Sequence, residues 1–143
     1  MAIDTALLTL VTKSNLGVLV TLKRDGRPQL SNINYEYDAD ARRVRISITE
    51  GRAKTANLRR DPRGSLYVTS ADGWAYTVVE GDATLSEVAK DPHDAAVEEL
   101  VEVYRSIRGE DHPDWDEYRR AMVDDRRLVC RLDITHAYGV ARR

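Results

Sequence analysis

The 143-residue sequence contains a single cysteine, Cys130, which excludes an internal disulfide and a multi-cysteine metal site. Its place in the apolar run Leu128-Val129-Cys130-Arg131-Leu132 reads as a buried strand thiol, not a nucleophile. Histidine is nearly as scarce. His93, His112 and His136 stand far apart, no two at metal-ligand spacing, and no metal site is expected. Positive charge is not in excess. Lys and Arg number 22 against 24 Asp and Glu, for a net charge of −2, which argues against a general nucleic-acid binder. No apolar run approaches the roughly 20 residues of a membrane span, and the N-terminus lacks the basic region and apolar core of a signal peptide. A cytoplasmic protein without membrane or nucleic-acid partners is the expectation. Nucleophile elbow, P-loop, Rossmann fingerprint, internal repeat and low-complexity segment are all missing.

What remains is ordinary globular composition, 42% hydrophobic and 32% charged, at a length that suits one domain over residues 1–143. Asp4 can cap a first helix from Thr5 to about Lys13. Leu16 to Leu22 is a strand apolar enough to be buried on both faces. Asp25-Gly26 supplies a hairpin turn, and a second strand runs from Gln29 to Tyr37. Arg43 to Ile48 alternates as a third strand, Ser65 to Thr69 is a fourth, and Trp74 to Leu85 a long fifth with a bulge expected at Gly81. Asp91 or Asp94 opens an amphipathic helix that Gly109 ends. Pro113 suits the first position of another, whose stripe Trp115, Tyr118 and Met122 reads as core and not as a ligand cage. A last strand covers Leu128 to about Tyr138. Short hairpins imply antiparallel pairing. The expected fold is mainly β with flanking helices, a six-stranded antiparallel barrel, closed or partly closed.

Two stretches carry chemistry. Gly51 to Pro62 reads as a short helix directly after a strand, stopped at Asp61-Pro62. Its first turn holds Arg52 and Lys54 with Thr55 beside them, where the helix dipole favours acids instead. Cations, a hydroxyl and free N–H groups at a helix start make either an anion seat, best filled by phosphate, or a solvated basic turn beside a salt-bridge partner. The second stretch is Gln29-Leu30-Ser31-Asn32-Ile33-Asn34, too polar for an ordinary core strand. Its amides and hydroxyl either meet a polar heterocycle or face water along a sheet edge. With no self-sufficient catalytic group in view, the pattern suits a protein whose cofactor performs the chemistry.

Taken in order, Gly17-Val18-Leu19-Val20-Thr21, Asp25-Gly26-Arg27-Pro28-Gln29-Leu30-Ser31-Asn32 and Arg52-Ala53-Lys54-Thr55-Ala56-Asn57-Leu58-Arg59-Arg60-Asp61-Pro62 resemble the flavin-binding split β-barrel family. Asp72-Gly73-Trp74-Ala75-Tyr76 and Val78-Val79-Glu80-Gly81 fit as well. The resemblance covers nearly the whole chain and is nearest the actinobacterial, pyridoxamine-phosphate-oxidase-like branch that uses the deazaflavin coenzyme F420. It implies a homodimer of FMN-binding-type split barrels with a cofactor in each of two intersubunit clefts. It assigns the cofactor phosphate to Arg52, Lys54 and Thr55, and the ring system to Gln29, Ser31 and Asn32. Asn57, Arg60, Trp74 and Tyr76 are further contacts, the last two from the other subunit. One departure is plain. True pyridoxamine phosphate oxidases end in an arginine–histidine segment that grips the substrate phosphate, and this chain ends Tyr138-Gly139-Val140-Ala141-Arg142-Arg143.

The favoured reading is an F420-dependent reductase passing hydride to a small conjugated molecule. An FMN-dependent oxidase or reductase on the same barrel is the second, and a non-catalytic deazaflavin carrier the third. Lys23, Arg24, Arg27, Arg59 and Arg60 are extra cations that either meet the deazaflavin's acidic tail or form a solvated rim. Tyr35, Tyr37 and Tyr76 are candidate proton donors.

Overall fold

The computed structural model describes residues 2–141. Its order is α1 (Thr5–Lys13), β1 (Leu16–Leu22), β2 (Pro28–Asn34), β3 (Glu36–Asp38), β4 (Arg43–Thr49), α2 (Ala53–Arg60), β5 (Arg63–Thr69), β6 (Tyr76–Leu85), α3 (Ala95–Arg108), α4 (Trp115–Asp124) and β7 (Arg127–Val140). The strands form one sheet in the order β2-β1-β5-β6-β7-β4-β3, and every neighbouring pair is antiparallel. The sheet curls far enough that β2 comes alongside β4 without pairing to it. The result is a half-barrel with a split between those two strands.

Among the described residues the strands number seven, not six, because the expected run from Gln29 to Tyr37 is divided at Tyr35. The Tyr35 N–H leaves the ladder for the Asn15 carbonyl at 2.9 Å. Its ring is buried, and its hydroxyl donates to the Val11 carbonyl at 2.6 Å. The bulge expected at Gly81 is present, as a register shift between Glu80 and Gly81 where β6 meets β7. Only glycine fits there, since a Cβ would stand 1.8 Å from the Asp133 carbonyl oxygen. Helix ends follow the sequence closely. Asp4 and Asp94 cap α1 and α3, and Gly109 closes α3 in the left-handed region. Pro113 lies just outside α4, whose cap is Asp114.

Two apolar cores result. Leu19, Ile46, Ile48, Leu66, Leu128 and Leu132 fill the barrel, while Val97, Leu100, Val101, Tyr118 and Met122 pack α3 and α4 against Val129. The stripe read as core is therefore core, with Trp115 half-buried at its rim. β7 serves both, with Cys130 facing the barrel and Val129 the helices. β1 departs from expectation. It is buried on one face only, through Gly17, Leu19 and Thr21, while Leu16 is exposed and Val18, Val20 and Leu22 are half-exposed on the other. The pairing registers align Asn32, Val18, Tyr67, Val78 and Tyr138 in one row across that outer face. Leu16, Leu30, Tyr67, Tyr138 and Val140 are all exposed.

Candidate functional site

The end of β4 and the start of α2 are tied together at one atom. The Thr49 carbonyl oxygen accepts from the Arg52 N–H at 3.3 Å and from the Thr55 hydroxyl at 2.7 Å. Gly51 makes the intervening turn at φ +87°, in the region that favours glycine. Arg52 occupies the cap position but makes no side-chain capping bond. Within α2, Ala56 is the first residue whose N–H is taken, by the Arg52 carbonyl, so the N–H groups of Ala53, Lys54 and Thr55 have no intrahelical acceptor. Thr55, fully buried, holds the helix start in place with its hydroxyl proton committed to Thr49.

This helix start opens onto a cleft of about 430 Å³ at the barrel split. Asn32 and Asn34 of β2 line one side, Ser47 and Thr49 of β4 the other, with Arg52, Lys54 and Arg127 around the end. Among the described residues no aspartate or glutamate lines it. Arg127, the first residue of β7, pairs in register with Thr49. The preceding residue, Arg126, takes a left-handed φ of +55°, and its carbonyl accepts from the Glu50 N–H at 3.0 Å. That bond fastens the turn before β7 to the turn before α2. The Arg127 guanidinium reaches the Ser47 hydroxyl at 3.4 Å, while its Nε is buried and has no hydrogen-bond partner among the described residues. Among the described residues neither Arg52, Lys54 nor Arg127 forms an ion pair. Partial burial, then the nearby charges of Arg52 and Arg127, push the Lys54 pKa down. Converging cations with no counter-ion and an orphaned buried donor carry a desolvation cost that an anion in the cleft removes. A phosphate-bearing cofactor fits this donor set.

Behind the cleft runs a second polar group. Arg60 donates to the Asn57 side-chain oxygen at 3.4 Å and, through the same nitrogen, to the Leu22 carbonyl. The Asn57 amide donates to the Thr21 hydroxyl at 3.1 Å, Thr21 to Gln29 at 2.9 Å, and Gln29 to Ser31 at 2.9 Å. Buried polar atoms are thus satisfied in a chain that locks α2 to β1 and β2.

The expected site residues therefore fall into three places. Arg52, Lys54 and Asn32 meet in the cleft. Gln29, Ser31, Asn57 and Arg60 share the network behind it, because alternate residues of a strand face opposite ways and Asn32 faces away from Gln29 and Ser31. Trp74, 75% exposed, lies in the turn before β6 and not in the strand, and Tyr76 stacks near Tyr67 at 5.8 Å. β2 is also a sheet edge. Tyr35 is no proton donor to a ligand. Its hydroxyl is buried and bonded, and burial pushes its pKa up to about 12. Arg59 pairs with Glu50 at 2.7 Å, whereas Lys23, Arg24 and Arg27 stay exposed on their hairpin. Arg142 and Arg143 lie outside the described residues. Sequence reasoning missed Arg127, Ser47 and Thr21, whereas Asn34 belongs to the polar stretch it singled out. Arg127 reads locally as one of two arginines before a strand, and only the β4–β7 register takes it to the cleft beside Arg52 and Lys54. Among the described residues no group of three His, Cys, Asp or Glu comes together that could hold a metal ion, and no helix is long and apolar enough to cross a membrane.

The family model described as pyridoxamine 5'-phosphate oxidase matches residues 3–141. Among solved structures, the chain is similar to the conserved hypothetical protein Rv2991 from Mycobacterium tuberculosis, at 21% identity and a TM-score of 0.76, covering 100% of this chain and 87% of that one. An F420 reductase matches at 22% identity and a TM-score of 0.61, covering 91% of this chain and 94% of that one. HutZ, a heme storage protein from Vibrio cholerae, matches at 12% identity and a TM-score of 0.67, covering 98% and 96%. Likeness at these identities establishes the shared fold.

Proposed function

The chain belongs to the pyridoxamine 5'-phosphate oxidase family, and from that premise we propose that it is a cytoplasmic, homodimeric oxidoreductase using the deazaflavin coenzyme F420. The observation that carries this reading is the convergence of Arg52, Lys54 and Arg127, without an acidic partner, on the cleft at the barrel split. Arg52, Lys54 and the free N–H groups of α2 would hold the cofactor phosphate, with Thr55 fixing their position through Thr49. Asn32 and Asn34 would offer amide donors and acceptors to the ring edge. When bound, the reduced deazaflavin supplies hydride, and the acceptor is a small conjugated molecule. The protein's part is to orient the ring and to exclude water. The outer apolar row from Val18 to Tyr138 supports a second copy packing over that face, with Trp74 and Tyr76 reaching the partner's cofactor.

The exposed hairpin cations Lys23, Arg24 and Arg27, which form no ion pair among the described residues, favour the deazaflavin over FMN, because only the former has further acidic groups for them to meet. Paired calorimetric titrations with oxidised F420 and with FMN, then turnover of the reduced form with quinone, enone and tetrapyrrole acceptors, test the reading. Micromolar F420 binding and oxidation of its reduced form by one acceptor are expected. FMN binding alone would replace it with a flavin enzyme, and F420 binding without turnover with a carrier.

A further inference from the structure

The cleft does not end at Arg127. Beyond it lies a second cavity of about 240 Å³, bounded by α3, α4 and the outer face of β4, which shares Asn34, Ser47, Ile107 and Arg127 with the first. Its own walls are Tyr104, Tyr118 and Met122. Tyr118 presents only its ring, since its hydroxyl donates to the Leu100 carbonyl at 3.0 Å. Tyr104 is held edge-on by Tyr118, with centroids 5.0 Å apart, and by Trp115, at 5.6 Å. Two cations mark the cavity, Arg127 with its unpartnered Nε and Arg108, whose guanidinium lies 5.7 Å from the Tyr104 ring. Neither forms an ion pair among the described residues, and no acid lines the cavity. The carboxylates of α3 that could have answered them are engaged elsewhere. Glu99 bonds Arg131 at 2.5 Å and Glu102 bonds Arg45 at 3.0 Å, while Asp111 just past α3 pairs with Arg105. Aromatic walls around uncompensated positive charge select a ring that carries one negative group.

We propose that this cavity is a binding site for a small aromatic carboxylate, with the ring against Tyr104 and Met122 and the carboxylate on Arg127. The site lies beyond the phosphate seat, does not include Arg52 or Lys54, and shares Asn34, Ser47, Ile107 and Arg127 with the cleft. The proposal stands whichever cofactor the seat takes.

Met122 is one of two methionines in the chain, so its methyl signal in protein labelled at methionine methyl carbons is simple to assign with Met122→Leu. The probes are 4-ethylbenzoate and its neutral isostere 4-ethylbenzamide, titrated in the presence of saturating inorganic phosphate to fill the seat. Saturable movement of the Met122 signal is expected, with the carboxylate at least ten times tighter than the amide. Arg127→Gln should bring the two probes to equal affinity, and Lys54→Ala should leave carboxylate binding within threefold. Equal affinities in the unaltered protein, or no saturation at millimolar probe, would overturn the proposal. Loss of binding in Lys54→Ala would overturn it as well, by placing the probe in the phosphate seat. Failure of F420 and FMN to bind is read in a separate titration and leaves this outcome unaffected.

Discussion

Lys54 and Arg127, 73 positions apart in sequence, stand within electrostatic reach of each other at the end of one cleft, with no carboxylate between them. Partial burial, then the like charges of Arg52 and Arg127, hold the lysine's pKa below its ordinary value. An anion there relieves both residues at once, which gives their pairing its functional meaning.

The first prediction is therefore on binding. Charge-assisted hydrogen bonds contribute roughly 1.5–3 kcal/mol each, so Lys54→Ala and Arg127→Gln should each weaken cofactor binding about 10- to 100-fold. The bound anion needs the charged lysine. Because its pKa is lowered in the free protein, affinity should fall as pH rises through that depressed value, earlier than for an ordinary lysine. Lys54→Arg should keep its affinity across the same range. Calorimetric titration at a series of pH values measures both effects, and a flat profile for the unaltered protein would contradict the assignment.

A second prediction concerns the charges that clamp α3 to the sheet. Burial pushes the Glu99 pKa up, but bonds and proximity to Arg131 and Arg45 outweigh it and leave the pKa lowered. A lowered folded-state value means that the contribution is complete above the ordinary glutamate pKa and is lost as pH falls through the folded value. Glu99→Gln should cost about 2 kcal/mol at neutral pH, with the gap to the unaltered protein closing in acid. Urea unfolding at several pH values reads this directly. A gap that does not change with pH would show that the carboxylate's charge is irrelevant.

Gly81 and Gly64, partners across β5 and β6, make a matched pair. A Cβ at Gly81 would stand 1.8 Å from a backbone oxygen, whereas at Gly64 its nearest neighbour is a leucine methyl at 3.5 Å. Gly81→Ala should cost more than about 4 kcal/mol or prevent folding, and Gly64→Ala should stay within about 1 kcal/mol. Thermal unfolding of the two variants side by side tests the bulge as the feature that curls the sheet.

The outer face supplies the fourth prediction. Tyr67 and Tyr138 lie in one row with Val78 between them and are 36% and 46% exposed. If a second copy covers this face, light scattering gives a dimer mass at micromolar concentration, and Tyr67→Lys with Tyr138→Lys gives a folded monomer. A monomeric unaltered protein that binds cofactor at full affinity would remove the homodimer from the proposed function.

The sequence by itself determined the local elements. Alternation wrote β4, Asp4 and Asp94 wrote helix starts, Gly109 a helix stop, and Gly81 the bulge, because each depends on residues within a turn or two of itself. It also singled out the helix start at Arg52 and Lys54, since cations there stand out against the dipole without any knowledge of the fold. Only the tertiary structure decided what that helix start faces. Arg127 joins it through the pairing of β7 with β4, Asn32 parts from Gln29 and Ser31 through strand alternation at a sheet edge, and Thr21 completes a network spanning β1, β2 and α2. Tyr35 breaks its strand for the Asn15 carbonyl. Each of these contacts joins residues distant along the chain or assigned to a face by register, and local sequence carries no record of either.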